Sequence, residues 1–405
     1  AEPGLVILLN TLILRNMKRN RILHALLVAS LILTFGCEEI TREPLSKDGT
    51  PPKPVTSPVV ENVAGGAVIT YLLPNETDLL YVRAEYELSN GVKVETKSSI
   101  YTNSVKVEGF GDTKEREVKL YAVDRSENVS TPITVKVQPL TPPVHAVKNS
   151  ISIIPDFGGA QYTWTNATNA ALAFIVLTQD STGKLNPVET VYTSVTDGKY
   201  TVRGFDPEEK IFGIVIRDRW DNFSDTVKIA LTPMFEQKLD KSKFDDIVLP
   251  GDTDMNGWEG RSNYIFDNDI NTFNHSLAGT GWPQQFSLDL GVMARLSRVI
   301  VTQRQGFPYS HGNPRLLEVW GIATTPPADG SMDGWIKLRD CVATRPTLMG
   351  GTADEDTEHL KNGDEYSFTL EDPPVRYIRF VVNETWGVTG FIHVAEVTFY
   401  GQVVQ

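Results

Sequence analysis

The chain repeats itself at the length of a domain. Val107-Glu108-Gly109-Phe110 recurs as Val202-Arg203-Gly204-Phe205, 95 residues on, and Asp124-Arg125-Ser126-Glu127-Asn128-Val129-Ser130 recurs as Asp218-Arg219-Trp220-Asp221-Asn222-Phe223-Ser224, 94 residues on. Each copy is followed by an alternating strand and a proline, at Leu140 to Pro143 and Leu231 to Pro233. A repeat of that length covers a whole folding unit, so the chain carries two copies of one small domain. Within the first copy Leu80, Val82, Ala84, Tyr86 and Leu88 alternate with polar or amphipathic residues, a period of two that makes one apolar face. Asn90-Gly91 then supplies a tight hairpin turn before Val92 to Thr96, and Val118, Leu120 and Ala122 begin another alternating strand. The Asp-x-x-x-Asn-x-Ser element suggests either a metal loop or a turn. Falling between two strands, it is read as a turn whose Asp and Asn satisfy backbone amides.

At 405 residues the chain exceeds one ordinary core. Its 24 prolines and 31 glycines break it too often for long helices, which favours β-rich modules. The expected organisation is an upstream segment and signal peptide over 1–36, a tether over 37–56, a first module over 57–142 and a second over 143–235. A linker over 236–248, which could be helical, then leads to a different domain over 249–405. Both repeated modules resemble fibronectin type III or immunoglobulin-like sandwiches in pattern and length.

Met17-Lys18-Arg19-Asn20-Arg21 is a basic start, Ile22 to Phe35 an apolar run, and Gly36-Cys37 closes it. The run is short of the roughly 20 residues that span a bilayer, so it reads as a secretion signal. The box Thr34-Phe35-Gly36-Cys37 resembles a bacterial lipoprotein signal, which implies acylation of Cys37; ordinary cleavage and release is the alternative. Glu38 and Glu39 resemble the acidic tag of lipoproteins sent to the outer face of the outer membrane. Pro51-Pro52-Lys53-Pro54 marks a stiff, polar tether. If Cys37 carries lipid, Cys341 has no partner, and stability has to come from cores or bound ions rather than disulfides. Four basic residues and one acidic residue precede Cys37, so removing them takes the net charge from −13 to −16. Such a chain is a poor partner for nucleic acid.

From 251 onward six landmarks follow one another: Phe266-Asp267-Asn268-Asp269-Ile270-Asn271-Thr272-Phe273, Phe286-Ser287-Leu288-Asp289-Leu290-Gly291, Leu317-Glu318-Val319-Trp320-Gly321, Gly334-Trp335-Ile336-Lys337-Leu338, Arg376-Tyr377-Ile378-Arg379-Phe380 and Ala395-Glu396-Val397-Thr398-Phe399-Tyr400-Gly401. In that order they resemble the discoidin, or coagulation-factor C-type, family of galactose-binding-like jelly rolls. Asn268 stands where the family usually has glycine, and Asn274 near a common tryptophan. The resemblance implies an all-β chain: two tandem fibronectin type III or immunoglobulin-like sandwiches and a discoidin-like jelly-roll β-sandwich, of the lipoprotein type encoded beside glycan-uptake systems. It also implies a structural calcium on Asp267, Asp269, Thr272 and Glu396, with backbone carbonyls near Ile265. A short loop rich in Asp, Asn and Thr supplies the hard oxygens that calcium takes; a merely polar turn is the alternative.

Of the nucleophile elbow, the zinc-protease, phosphate-loop and dinucleotide fingerprints and the Cys-x-x-Cys pair, the chain carries none. A pair of carboxylates could still hydrolyse glycosides, yet three sandwich modules account for nearly every residue, and no enzyme is expected. The expected partner is carbohydrate, together with the membrane and outer-membrane glycan-uptake proteins. Adhesion to a protein or host surface, or a structural accessory role, are the alternatives. The loops of the last domain hold Trp258, Trp282, Phe307, Tyr309, His311 and Phe391. The resemblance implies a sugar site built from His275, Arg304 and Asn313 with an aromatic ring, Trp386 or Phe391, and with Arg315 beside it. Sugar sites need an aromatic platform with converging polar groups.

Overall fold

The computed structural model describes residues 49–404, so the expected signal, Cys37 and most of the tether lie outside the described residues. No helix among the described residues is long and apolar enough to cross a membrane. By internal contacts they fall into two units: residues up to Glu108 with Lys114–Gln138, and Gly109–Thr113 with everything from Pro139 onward.

The first unit holds strands β1 (Thr56–Val63), β2 (Gly66–Leu72), β3 (Leu79–Glu87), β4 (Lys93–Ser99), β5 (Ser104–Glu108), β6 (Arg116–Asp124) and β7 (Ile133–Val137). They form a sheet in the order β1-β2-β5 and a second in the order β4-β3-β6-β7. Ile69, Tyr71, Val82, Ala84, Val107 and Leu120 fill the space between the two. The expected strand around residue 80 forms with one difference: the register shifts between Leu79 and Tyr81, so Leu79 is buried and Leu80 is 42% exposed. A bulge turns one extra residue outward, which alternation alone does not announce. The Asn90-Gly91 turn is present, with Leu88 and Val92 closing it and Gly91 at φ 85°.

The second unit begins with helix α1 (Pro143–Lys148), which buries Val144 and Val147. It continues with β8 (Ser152–Asp156), β9 (Gly159–Thr165), β10 (Leu172–Gln179), β11 (Leu185–Thr193), β12 (Asp197–Val202), β13 (Lys210–Arg217) and β14 (Val227–Leu231). The sheets β12-β9-β8 and β11-β10-β13-β14 reproduce the strand arrangement of the first copy. The shared motif is a turn in both copies. Asp124 Oδ1 accepts from the amides of Ser126 and Asn128 at 2.8 and 2.9 Å, and Asp218 Oδ1 does the same for Trp220 and Asn222 at 2.8 and 3.0 Å. Ser130 and Ser224 close each element by accepting from Ala122 and Ile216. The carboxylates are thus consumed by backbone donors, the turn reading.

The C-terminal sandwich contains β15 (Gln237–Lys238), β16 (Asp245–Ile247), β17 (Asn274–His275), β18 (Gln284–Thr302), β19 (Pro314–Ile322), β20 (Ile336–Val342), helix α2 (Ala353–Asn362), β21 (Asp364–Ser367), β22 (Val375–Thr385), β23 (His393–Val394) and β24 (Glu396–Val403). Strand β18 is its spine. Its first half pairs with β16 and β22, its second with β21 and β24, and the register breaks between Asp289 and Ala294. Gly291 sits in that break at φ 66°, where an added Cβ would lie 2.1 Å from the Lys243 carbonyl oxygen. The Asp-Leu-Gly landmark therefore marks a bend that only glycine fits. Phe380 and Phe399 are fully buried in this core, each contributing about 1.5–3 kcal/mol relative to exposure. Helix α2 starts at a Thr352–Glu355 capping box, legible as Thr-x-x-Glu. Cys341 is buried, and burial pushes its thiol up to about 12, so it is a core residue without nucleophilic character.

The stretch 236–248 corrects the expectation of a linker. Its two strands pair with β24 and β18, and Leu239 and Phe244 enter the core of the sandwich. The charged residues between them disguised two apolar anchors spaced five apart.

Candidate functional site

One end of the C-terminal sandwich gathers rings and bases from four segments. The two-stranded ribbon of β17 and β23 sets His275 directly opposite His393. His275 stacks on Phe391 with centroids 4.8 Å apart, and Trp258 and Phe273 stand 6.1 and 6.2 Å from it. Phe307 lies 4.3 Å from His311 and 6.3 Å from His393. Arg304 lies over Phe273 at 3.6 Å and over Phe307 at 4.7 Å. The ribbon approaches its neighbours closely because they are glycines: a Cβ on Gly260 would meet the His275 amide at 2.6 Å, and one on Gly312 the His393 ring at 3.0 Å.

Burial favours the neutral form of both ribbon histidines. His275 Nδ1 lies 2.6 Å from the Ser276 carbonyl oxygen, which makes Nδ1 the donor and leaves Nε2 a bare lone pair. Burial lowers its pKa, and the positive charge of Arg304 lowers it further. His393 is fully buried and lowered to about 3, first by burial and then by Arg304 and His275; its Nε2 accepts from Gly312 N–H at 3.2 Å. Its Nδ1 has no partner among the described residues.

Of the expected ligand residues, His275, Arg304 and Phe391 meet in this cluster. Asn313 is turned inward instead. It is fully buried, its Oδ1 accepts the Arg304 amide at 2.8 Å, and its Nδ2 donates to the Phe307 carbonyl at 2.6 Å. Both ends of the amide hold the 304–310 loop in shape, so it positions Arg304 and Phe307 through the backbone. Arg315 and Trp386 form a second group. Arg315 pairs with Glu384 at 2.8 Å and lies 5.4 Å over Trp386, which meets Tyr309 edge-on at 5.6 Å. Phe273 and His393 were missed as site residues. The second was detectable, since His393 stands two residues after Phe391, and their rings lie 6.0 Å apart.

Asp267 and Glu396 come near enough to act on each other electrostatically, but each member of the expected calcium set is engaged by protein partners. Asp267 Oδ1 accepts the Asp269 amide and its Oδ2 lies 2.8 Å from Thr272 Oγ1, while Asp269 Oδ1 accepts the Asn271 amide at 2.9 Å. These carboxylates are exposed and cap their own turn. Glu396 is buried and bonded to the Lys241 ammonium, which is itself 6% exposed. Lys238 reaches Asn268 Oδ1 at 3.1 Å from the same segment. A fixed ammonium thus neutralises the glutamate that the resemblance assigned to calcium, and the residues do not fit the ion. Among the described residues no three His, Cys, Asp or Glu side chains are grouped to hold a metal. Sequence reasoning missed Lys241 because it was assigned to the linker.

Three segments match family models, each described as a domain of unknown function: residues 52–139 match DUF4959, 140–242 match DUF5126 and 262–401 match DUF5000. Comparison with curated proteins gives no match. Among solved structures, a SusE-like protein is 33% identical, covering 65% of this chain and 100% of its own, with a TM-score of 0.42. A CBM32 domain from a family 31 glycoside hydrolase of Clostridium perfringens is 19% identical over 41% of this chain and 95% of its own, with a TM-score of 0.31. A two-domain fibronectin type III segment of chicken tenascin is 19% identical over 44% of this chain and 99% of its own, with a TM-score of 0.23.

Proposed function

We propose that this chain is a surface lipoprotein that holds glycan at the loop end of its C-terminal sandwich, as an accessory to polysaccharide capture and uptake. The observation that carries the reading is the ring cluster itself. Trp258 is 76% exposed beside His275, which stacks on Phe391, and Arg304 lies over the rings of both Phe273 and Phe307. Exposed rings with a fixed cation and a bare imidazole lone pair match a sugar's apolar face and its hydroxyl edge. The SusE-like protein, identical at one residue in three along its whole length, supports the accessory part of the reading.

The test is a glycan-array screen of residues 38–405 followed by calorimetry on each hit. Phe391→Ala and Trp258→Ala are each expected to weaken binding about tenfold while the domain stays folded. Unchanged affinity in both variants would remove the cluster from the reading. Anchoring is tested separately. Cys37→Ser is expected to abolish incorporation of labelled palmitate and release the protein from the outer-membrane fraction, because a single cysteine carries the whole anchor. Undiminished labelling and membrane fractionation of that variant would overturn it.

A further inference from the structure

The chemistry of the cluster narrows the ligand class. Among the described residues no carboxylate pairs with Arg304, and Glu259 acts on it only through space. The guanidinium offers five N–H donors in a planar fork, and none has a protein acceptor among the described residues. Its nitrogens are not sealed in, so the fork is open to a ligand. Contact with the Phe273 and Phe307 rings restrains the guanidinium, and the Asn313 bond to the Arg304 amide fixes its backbone.

Apart from the exposed Glu259 carboxylate, which acts on Arg304 only through space, few acceptors face it. Asn313 Oδ1 is occupied by the Arg304 amide, and His393 Nε2 by Gly312. His275 Nε2 is the remaining ribbon lone pair, its Nδ1 proton being committed to Ser276. A neutral sugar edge presents hydroxyls, and each hydroxyl brings a proton that wants an acceptor. The cluster has donors in excess, in a chain whose net charge is −13. The group that matches a fixed fork with few acceptors nearby is a planar anion with two oxygens and no hydrogen. A half-buried cation with no carboxylate in direct contact also costs free energy that an anion bound on the fork recovers.

Building on the glycan reading above, we infer that the sugar this site selects is acidic, with its carboxylate held bidentately by Arg304 beside Phe273 and Phe307. Binding is then sensitive to salt and to removal of the sugar's charge. A sulfate ester shares the anionic chemistry and can also present two oxygens to the fork, so the two classes are separated by experiment.

The experiment is calorimetry on residues 38–405 with oligogalacturonides in two forms, free acid and fully methyl-esterified, which differ in the charge of the carboxyl and in one methyl group per residue. Sulfated and desulfated chondroitin oligosaccharides form the second arm. The free acid is expected to bind about tenfold to a hundredfold tighter than its methyl ester. Arg304→Gln is expected to erase that preference, and Arg304→Lys, with charge but no fork, to keep only part of it. Equal binding of acid and ester, or a preference that survives in Arg304→Gln, overturns the inference. If esterified or other uncharged sugars bind as well as acids, and Phe391→Ala weakens them, the glycan site stands and the acidic class falls. If the sulfated form shows the charge preference and the uronate does not, the carboxylate assignment falls. If no saccharide of either kind binds, both the inference and the reading beneath it fall.

Discussion

Arg379→Met is expected to destabilise the C-terminal sandwich by about 3–5 kcal/mol, because it strands a buried carboxylate. Arg379 is fully buried on β22, and its guanidinium approaches Asp252 Oδ1 at 3.3 Å, Ser287 Oγ at 3.0 Å and the Gly330 carbonyl at 3.1 Å, lying 4.9 Å over the Trp335 ring. Asp252 has 2% of its side chain exposed, and burial raises its pKa even with the guanidinium beside it. Without the arginine, Asp252 has to take up a proton or draw in water. The measurement is denaturant unfolding of residues 38–405, with hydrogen exchange of the peptides covering 284–302 and 375–385 to report on this domain separately from the others. Asp252→Asn added to Arg379→Met is expected to recover a substantial part of the loss, since it removes the unpaired charge while preserving shape. A single-variant loss under about 1 kcal/mol would show that Asp252 finds other compensation.

Lys241→Met is expected to cost a comparable amount, about 3 kcal/mol, by leaving Glu396 buried and unpaired. Side-chain exposures of 3% and 5% put both partners out of reach of screening by water. Burial raises the Glu396 pKa to about 6 although Lys241 pulls it down. A carboxyl whose folded pKa is raised above its unfolded value favours the folded state most at low pH, and that contribution falls as pH rises through the folded pKa. Taking away the ammonium raises the folded pKa further. The penalty of Lys241→Met is therefore expected to be larger at pH 7.5 than at pH 5, where Glu396 can be protonated. Chelator is expected to leave the melting temperature of the unsubstituted protein unchanged, and added calcium to leave it unchanged too, because the cation that balances Glu396 is covalently part of the chain. A melting temperature that falls on exhaustive chelation would restore calcium to the loop.

These two pairs also show where reading the residues in order stops. Alternation around Val82, the Asn90-Gly91 turn and the repeated Asp/Asn turn are local. Each is satisfied within a few residues of itself, so the sequence alone determined the two repeated sandwiches and their turn chemistry. Gly291 was visible as a landmark because a left-handed backbone leaves a residue-type signature. The His275, Arg304 and Phe391 cluster was anticipated through the family resemblance, and the segments that build it do adjoin.

What only the tertiary structure decided is which partner each polar group takes. Asp267 and Glu396 carry the same composition whether they hold an ion or not. The difference is made by Lys241, 155 positions from Glu396 and brought to it when Leu239 and Phe244 dock in the core. Asn313 reads as a sugar-binding amide until the loop folds over it and both of its ends are used by backbone. Such choices are invisible in the linear order because a buried polar group is satisfied by whichever complementary group the packing delivers, and packing is set by apolar contacts distant in sequence.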